Sequence, residues 1–224
     1  MSSMVFYVGN VDDNLVCAGG NGGEDRMESS KIRVATIQDA KELSTIYAPY
    51  VENTAITFEY AVPTVAEFER RMGRVLEKYP YLVAERNGKI AGYAYAGAFN
   101  TRAAYDWAAE ATVYVRQDQK HLGIGRELYE ALEKVLALQN ILNLNACIAY
   151  PEVEDEYLTQ NSVGFHAHLG YRLVGEFHQC GYKFGRWYSM VWMEKHLSGH
   201  PEHPPAVKTF EEIKDVIAER YGIL

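Results

Sequence analysis

The sequence predicts an α+β fold with a mixed, mostly antiparallel central sheet flanked by helices. Its apolar residues alternate at a period of two in some segments and recur at helical spacing in others. These segments follow the order strand, two helices, an antiparallel strand run, helix, strand, helix and two strands. This order lacks the regular strand–helix alternation of a doubly wound sheet, and Asn87-Gly88 marks a tight hairpin inside the antiparallel run.

The first half of the periodic region begins near Lys31 and contains one helix with a clear start signal. Thr64 stands as its N-cap, with Glu67 three residues later as in a capping box. Pro80 follows the end of this helix. The predicted elements are a strand at 32–34, a helix with apolar positions at Ala40, Leu43, Ile46, Tyr47 and Tyr50, a β-rich segment at 56–60, a helix at 65–76, and hairpin strands at 81–86 and 89–96.

The second half continues the pattern and ends in a separate amphipathic segment. After the prolines at 201–205, apolar residues from Phe210 to Tyr221 recur at helical spacing. We expect this helix to dock on its own domain or on a second subunit. The other predicted elements are a strand at 111–115, a helix at 124–136, a strand at 142–148, a helix at 162–169, and closing strands at 171–177 and 188–193.

Length and charge limit the classes of function. The 224 residues fit one domain with extensions, which we divide into an N-terminal extension at 1–30, a main domain at 31–197, and a C-terminal linker and helix at 198–224. The formal charge of −8 argues against nucleic-acid binding. We expect no membrane association, because no apolar run approaches the roughly 18 residues of a membrane helix and the N-terminus lacks a signal pattern.

The cysteines and the N-terminal extension carry few signals of function. Cys17, Cys147 and Cys180 are few, separated and odd in number, so they predict neither a disulfide framework nor a metal site. We expect reduced thiols in a cytoplasmic protein, with a catalytic thiol as the less favoured alternative. The extension holds a β-rich tetrapeptide at 5–8 and a glycine-rich stretch at 19–23, which predict a short strand and a linker without a catalytic role.

The most informative segment is 112–126, where a strand ends, a loop with two glycines follows, and a long helix begins. Glycines let main-chain N–H groups approach a ligand, and the helix N-terminus adds partial positive charge. Together they predict a pyrophosphate site, supported by the charges of Lys120, His121 and Arg126. The alternative is a turn without a ligand, because the third glycine of a dinucleotide motif and the Gly-Lys-Ser/Thr of a P-loop are both missing.

These residues resemble the acetyl-CoA signature of the GNAT acetyltransferases. Lys120, Gly123 and Gly125 form basic-x-x-Gly-x-Gly between a strand and a helix, with lysine where the family usually has glutamine or arginine. The run 161–171, ending in Leu-Gly-Tyr, is similar to the family's second motif. Other segments resemble the phosphinothricin and methionine sulfoximine N-acetyltransferases within this family, namely 79–85, 94–97, 105–107, 112–115 and 183–187. The resemblance covers most of the chain and implies the GNAT fold.

The resemblance also implies an activity and a mechanism. It predicts direct transfer of acetyl from acetyl-CoA to the primary amine of a small molecule, an amino acid or an analogue. Glu110 corresponds to the general base, although an ordinary strand-start glutamate is the alternative. His166 stands where it would protonate or hydrogen-bond the leaving thiolate, or would simply pack in its helix.

The implied cofactor contacts lie on the strand end and the turn. They are Val113, Tyr114, Val115, Lys120, His121, Leu122, Gly123, Ile124, Gly125 and Arg126. Asn161 completes the set, but it is offset by two positions from the family's asparagine, which is Thr159 here. The main-chain groups of the strand would hold the pantetheine and polarise the thioester carbonyl, since this strand splays from its neighbour in the resembled fold.

The implied acceptor pocket contains Phe58, Arg102, Tyr105 and Trp107, with core packing as the alternative for the aromatic residues. Arg102 would bind a carboxylate. Glu59 replaces a usual arginine, and the loop 150–160 is acidic, so we expect a neutral or cationic amine, or another amino-acid analogue, to be preferred over phosphinothricin. The resemblance further implies a homodimer.

Two other functions remain open from the sequence alone. A non-catalytic acetyl-CoA-binding regulatory module would keep the glycine turn and need no base. A protein N-terminal acetyltransferase would use the acidic loop to face a basic peptide. The sequence does not name the natural acceptor.

Overall fold

The computed structural model describes residues 30–223, and the predictions for the segments at 5–8 and 19–23 lie outside them. The first half forms β1 (Lys31–Val34), α1 (Ala40–Asn53), α2 (Val65–Leu76), β2 (Tyr81–Arg86), β3 (Lys89–Ala98) and β4 (Ala108–Val115). The second half forms α3 (Ile124–Leu138), β5 (Asn143–Tyr150), α4 (Asn161–His168), β6 (Arg172–Lys183), β7 (Arg186–His196) and α5 (Phe210–Tyr221). None of the helices in this part of the chain has the length and apolar character to cross a membrane.

The seven strands form one sheet in the order β1-β2-β3-β4-β5-β7-β6. Every neighbouring pair is antiparallel except β4 and β5, which are parallel. The predicted mixed, mostly antiparallel sheet is therefore confirmed. The parallel pair is the one whose connection contains a long helix, as parallel neighbours require.

Local signals in the sequence account for several element ends. The Thr64 hydroxyl accepts a hydrogen bond from the Glu67 main-chain N–H at 3.2 Å and caps α2. The Glu67 carboxylate does not complete a capping box, because it binds Arg70 and Arg71 instead. Asn87 and Gly88 both have positive φ, 51° and 70°, as a type I′ turn requires.

The sheet is covered unevenly on its two faces. One face packs against α3 and α5 in a core that includes Leu128, Leu132 and Leu144, all fully buried. The other face packs β2, β3 and β4 against α1 and α2 through a cluster of aromatic rings that includes Tyr93 and Phe68. The helices α1 and α2 pack mainly on β2, β3 and β4, and α1 also reaches the end of β6, where the Lys183 ammonium donates to the Val51 carbonyl.

Two predicted segments differ from the structure. The β-rich segment 56–60 is not a strand. The Thr57 carbonyl within it and the Thr54 carbonyl before it accept hydrogen bonds from a buried lysine side chain. The closing strands are much longer than predicted and form one hairpin, β6–β7. Its two-residue turn places Phe184 and Gly185 at φ 50° and 76°, so a hairpin turn stands where the sequence has no Asn-Gly pair.

The C-terminal helix α5 docks on its own domain. Phe210, Ile213 and Ile217 are buried in the same core as α3. The linker before α5 is held by side chains, since the Trp107 indole N–H donates to the Pro205 carbonyl and the Gln139 amide donates to the carbonyls of Lys78 and Lys208. The helix α5 therefore shares the hydrophobic core of the main domain, and the linker before it is held on the domain surface by these hydrogen bonds.

Candidate active site

The sheet opens between its two central strands. β4 pairs with β5 only from Ala108 to Glu110, opposite 143–145, although β4 continues to Val115 and β5 to Tyr150. At the point of separation, the Asn145 side-chain amide donates to the Ala109 carbonyl at 3.2 Å. The two strands therefore diverge into a V-shaped opening, which confirms the splay expected from the resemblance.

Alternate residues of β4 direct their main-chain N–H and carbonyl groups either toward β3 or toward this opening. The Arg116 N–H donates to Ala91 of β3, and the alternation of an antiparallel ladder directs Tyr114 to β3 as well. Val113 and Val115 then point toward β5, where no strand partner follows. The Val115 carbonyl accepts a hydrogen bond from the Tyr50 hydroxyl at 2.6 Å, so Val113 is left as the main-chain position facing the opening.

The predicted phosphate turn leads directly from β4 into α3. Gly123 adopts φ 81°, and His121 adopts φ 63°, both in the left-handed region that glycine favours. The first helical hydrogen bond runs from the Glu127 N–H to the Gly123 carbonyl. The preceding amides at 123–126 therefore have no partner within the helix, which is the arrangement that helix N-termini use to bind anions.

The charges around this turn are arranged to leave it positive. Glu127, in the first turn of α3, is paired with Arg86, whose guanidinium also donates to the Leu122 carbonyl. Lys120 lies over the Tyr50 ring with its ammonium 5.1 Å from the ring centroid, and partial burial lowers its pKa. Arg126 is exposed on α3. The nearest acidic charge in the helix is thus compensated, while basic groups remain.

Glu110 lies at the last paired position of β4, where the sheet opens. It is half-buried, and among residues 30–223 it has neither an ion-pair nor a hydrogen-bond partner. Burial raises the pKa of its carboxyl above the usual value. A desolvated carboxylate without a cationic partner has the increased basicity that a general base needs.

Cys147 and Glu110 lie near the same opening. Burial, with smaller contributions from the charges of Glu110 and Cys180, raises the pKa of the Cys147 thiol to about 12. The thiol therefore stays protonated at neutral pH, which argues against a nucleophilic cysteine here.

His166 is buried in α4 with both ring nitrogens bonded. Its Nδ1 donates to the Ser162 carbonyl at 2.7 Å, and its Nε2 therefore accepts from the Tyr129 hydroxyl at 2.7 Å. Burial lowers its pKa, opposed by the bond to Ser162. This geometry favours the packed, neutral histidine over direct contact with a thiolate. Asn161, at the exposed start of the same helix, has no side-chain bond within the described part of the chain.

Predicted acceptor residues come from two separate segments. Arg102 and Tyr105 are exposed in the loop between β3 and β4, and Gly97 at the start of that connection pairs with Glu110. Phe58 lies against β6, where a side chain at Gly181 would collide with its ring. Trp107 anchors the C-terminal linker through its indole N–H, so packing accounts for this aromatic residue.

The acidic residues of the acceptor side are paired. Glu59 binds Arg71 at 2.5 Å, and Arg71 also binds Glu67. In the acidic loop, Asp155 and Glu156 both bind Arg186. Neither Glu59 nor these two loop carboxylates is a free negative charge. The sequence alone does not predict these ion pairs.

Sequence reasoning missed three residues that shape the opening. Tyr50 was assigned only to the helix stripe and Asn145 only to a strand, and Arg71 was not singled out. A polar residue in the middle of an otherwise apolar strand is the one signal that marks Asn145, whereas the partners of Tyr50 and Arg71 lie 65 and 12 residues away.

Comparison with known proteins gives a consistent result. Residues 32–192 match the model of the acetyltransferase (GNAT) domain family. The chain is 34% identical over 183 residues to phosphinothricin N-acetyltransferase of Streptomyces viridochromogenes, covering 82% of this chain and 96% of that protein. It is 31% identical to L-methionine sulfoximine/L-methionine sulfone acetyltransferase of Pseudomonas aeruginosa, covering 75% and 95%.

The fold agrees with a solved relative. A phosphinothricin acetyltransferase from Sinorhizobium meliloti, crystallised with acetyl-CoA, superposes with a TM-score of 0.71 at 27% identity. The match covers 82% of this chain and 99% of that one.

Proposed function

Because the chain belongs to the GNAT family and is an acetyl-CoA-dependent N-acetyltransferase, we propose that it acetylates the primary amine of a small amino acid or amino-acid analogue by direct transfer. Glu110 acts as the general base in this proposal. The observation that carries it is the position of Glu110, a half-buried carboxylate at the point where β4 and β5 separate, with no counter-ion in the described part of the chain. The relatives that act on phosphinothricin and on methionine sulfoximine support the class of acceptor.

Acetyl-CoA supplies the activated acetyl thioester, and this chain's residues fit it. The amides at 123–126, with Lys120 and Arg126, would hold the diphosphate. The main chain of Val113 would hold the pantetheine within the V-shaped opening. Val115 would be a second contact, although its carbonyl already accepts a hydrogen bond from Tyr50. His121, Leu122 and Asn161 stay predicted contacts of the same site.

Glu110 removes the proton of the acceptor ammonium, directly or through a bridging water. An alkylammonium has an ordinary pKa of about 10, so the carboxylate must be more basic than usual, and its raised pKa moves it in that direction. Once neutral, the amine attacks the acetyl carbonyl and forms the new C–N bond, and the Val113 N–H would donate to developing oxyanion charge. The C–S bond of the thioester then breaks and coenzyme A leaves as its thiolate. The second proton lost by the amine nitrogen neutralises that thiolate, directly or through water, and Glu110 returns its own proton to solvent. His166 contributes by fixing Tyr129 and the packing of α4.

The acceptor pocket we propose combines Arg102 and Tyr105, near the carboxylate of an amino acid, with Phe58 as an apolar wall. The pairing of Glu59 with Arg71 changes the expected charge preference. A compensated pair attracts neither a strongly cationic nor a strongly anionic side chain, so we propose a neutral, polar acceptor side chain over phosphinothricin.

A thiol-release assay with acetyl-CoA and a panel of amines tests this function. We expect free amino acids with neutral polar side chains, and analogues such as methionine sulfone, to exceed phosphinothricin, polyamines and peptides in kcat/KM. Preference for peptides would favour a protein N-terminal acetyltransferase. Acetyl-CoA binding without turnover on any amine would favour the regulatory module.

We also propose a homodimer formed through the edge strand β6. This strand has twelve residues and, among residues 30–223, no neighbour on its outer side, and it exposes Leu173, Val174 and Phe177, each close to 60% accessible. A long apolar edge strand invites pairing with a second copy. The free thiols of Cys147 and Cys180 support a reducing, cytoplasmic location.

Phe177→Glu tests the dimer, because a charge in the middle of a buried apolar interface is costly. Sedimentation velocity is expected to give a dimer for the unchanged protein and a monomer for this variant. Val153→Glu is the control, since Val153 is an exposed apolar residue outside β6. A monomeric unchanged protein, or a variant that stays dimeric, would contradict the proposal.

A further inference from the structure

The turn of the β6–β7 hairpin lies where two loops meet the acceptor side of the site. We call residues 54–60 the acceptor loop, because it carries Phe58 and Glu59, and residues 183–186 the hairpin clamp. The acidic loop, 150–160, lies on the other side of the clamp. Neither the clamp nor its contacts has a role in the mechanism proposed above.

Lys183 joins the clamp to the acceptor loop. Its side chain is only 2% exposed, and its ammonium donates to the carbonyls of Val51, Thr54 and Thr57 at 2.7–2.8 Å. Three donated hydrogen bonds require all three N–H groups, so the lysine is held in its charged form. Among residues 30–223 it makes no salt bridge, so the three main-chain carbonyls and the Phe184 ring, whose centroid lies 5.1 Å from the ammonium, stabilise this buried charge.

Two further contacts fix the acceptor loop on β6. The Phe58 ring occupies the space that a side chain at Gly181 would need. The Tyr60 hydroxyl donates to the Tyr182 carbonyl. Consecutive residues of β6 therefore receive this loop, and an amino acid other than glycine at position 181 would displace it.

The other half of the clamp holds the acidic loop. Arg186 binds the carboxylates of Asp155 and Glu156, and the Phe184 ring stacks on Tyr157 at 4.1 Å between centroids. The two loops also touch each other, since the Ala55 N–H donates to the Tyr157 carbonyl at 3.0 Å. The clamp thus lies between two loops that it connects into one unit.

The backbone of the clamp is itself strained. Phe184 adopts φ 50°, which a bulky residue rarely does, and such strain persists where surrounding contacts impose it. Here the imposing contact is the stack on Tyr157. A glycine at 184 would make the turn easier and would lose both the stack on Tyr157 and the contact of the Phe184 ring with the Lys183 ammonium.

We propose that the hairpin clamp is a positioning element for acceptor binding, in which Lys183 and Phe184 hold the two loops that shape the acceptor side of the pocket. The inference rests on the proposed function for its catalytic readout. The proposal concerns acceptor binding alone. The proposed cofactor turn, 120–126, follows the end of β4 at Val115, and it takes part in none of the contacts described above that hold the two loops.

Lys183→Met tests the proposal, with Lys195→Met as its matched control. Lys195 lies on the same hairpin but binds Glu133 of α3 rather than a loop. For Lys183→Met we expect the KM of the acceptor to rise about tenfold or more, because hydrogen bonds from a charged donor are lost. The KM of acetyl-CoA is expected to stay unchanged, and Lys195→Met is expected to change neither.

Phe184→Gly keeps the test valid if Lys183→Met does not fold, because glycine favours the turn conformation. It should also raise the acceptor KM alone. Equal changes in both KM values, or no change in either, would overturn the proposal.

A proteolysis assay tests the hairpin clamp independently of the proposed function. A glutamate-specific protease is expected to cut after Glu59 faster in Lys183→Met or Phe184→Gly than in Lys195→Met, whether or not any acceptor is turned over. Equal cleavage rates in all three variants would refute the clamp, while a lack of turnover by the unchanged protein would refute only the function.

Discussion

Glu110→Gln is expected to lower kcat by a factor of about 10²–10⁴, the range that general-base catalysis contributes. Glutamine has nearly the same shape but cannot accept a proton from the ammonium. Acetyl-CoA affinity is expected to stay unchanged, since the diphosphate contacts proposed above lie at 120–126. The measurements are steady-state kinetics with the best acceptor and calorimetry with acetyl-CoA.

The pH dependence provides a second readout of Glu110. Its pKa is raised in the folded protein, so the base is protonated and inactive at acidic pH, and kcat/KM rises as pH increases through that raised value. Glu110→Gln should lose this acidic limb. An unchanged profile in the variant would assign the base to another residue.

As pH rises, the contribution of Glu110 to the free energy of unfolding is expected to fall while activity increases. A carboxyl with a raised folded pKa binds its proton more tightly in the folded state, so its contribution to stability falls as pH rises from the unfolded pKa through the folded one. Glu110→Gln removes this cost at neutral pH, and its Tm is expected to equal or exceed that of the unchanged protein. Glu194→Gln, on β7 opposite Asn145, is the control and should keep full activity.

Gly123→Ala is expected to weaken acetyl-CoA binding by about tenfold or more, because a left-handed residue other than glycine costs roughly 1–2 kcal/mol. The turn must either store this strain or redirect the amides at 123–126. No atom lies within 4 Å of the added Cβ, so steric collision does not contribute. Isothermal calorimetry with acetyl-CoA measures the effect.

Gly88→Ala is a closely matched control for that change. Gly88 has φ 70°, its Cβ position is equally open, and it lies in the β2–β3 turn. Both variants should lose similar stability, but only Gly123→Ala should lose cofactor affinity. Equal affinities in the two would contradict the assignment of this turn to the diphosphate.

The sequence predicted those parts of the molecule that depend on local signals. Asn87-Gly88, the Thr64 cap and the glycine turn each act through neighbouring residues, and each lies where expected. The position of Glu110 followed from the family resemblance, and the structure adds its burial and its lack of a counter-ion.

What the sequence could not predict depends on contacts between distant segments. The sequence alone predicts that the negative charge of Glu59 influences the choice of acceptor, but the structure pairs this carboxylate with Arg71 of α2. The β-rich segment 56–60 is not a strand, and its Thr57 carbonyl is bound by Lys183, which lies 126 residues further along the chain. The length of the β6–β7 hairpin depends on a strained Phe184, and no local propensity favours a phenylalanine in that conformation.

The position of α5 in the core has a consequence for folding of the protein during its synthesis. Phe210, Ile213 and Ile217 complete an interior to which α3 contributes much earlier in the chain. On the ribosome, the sheet and α3 therefore emerge with part of their apolar surface still uncovered. The nascent chain must remain in an unfinished state until residues 210–223 leave the exit tunnel, and only then does the interior exclude water.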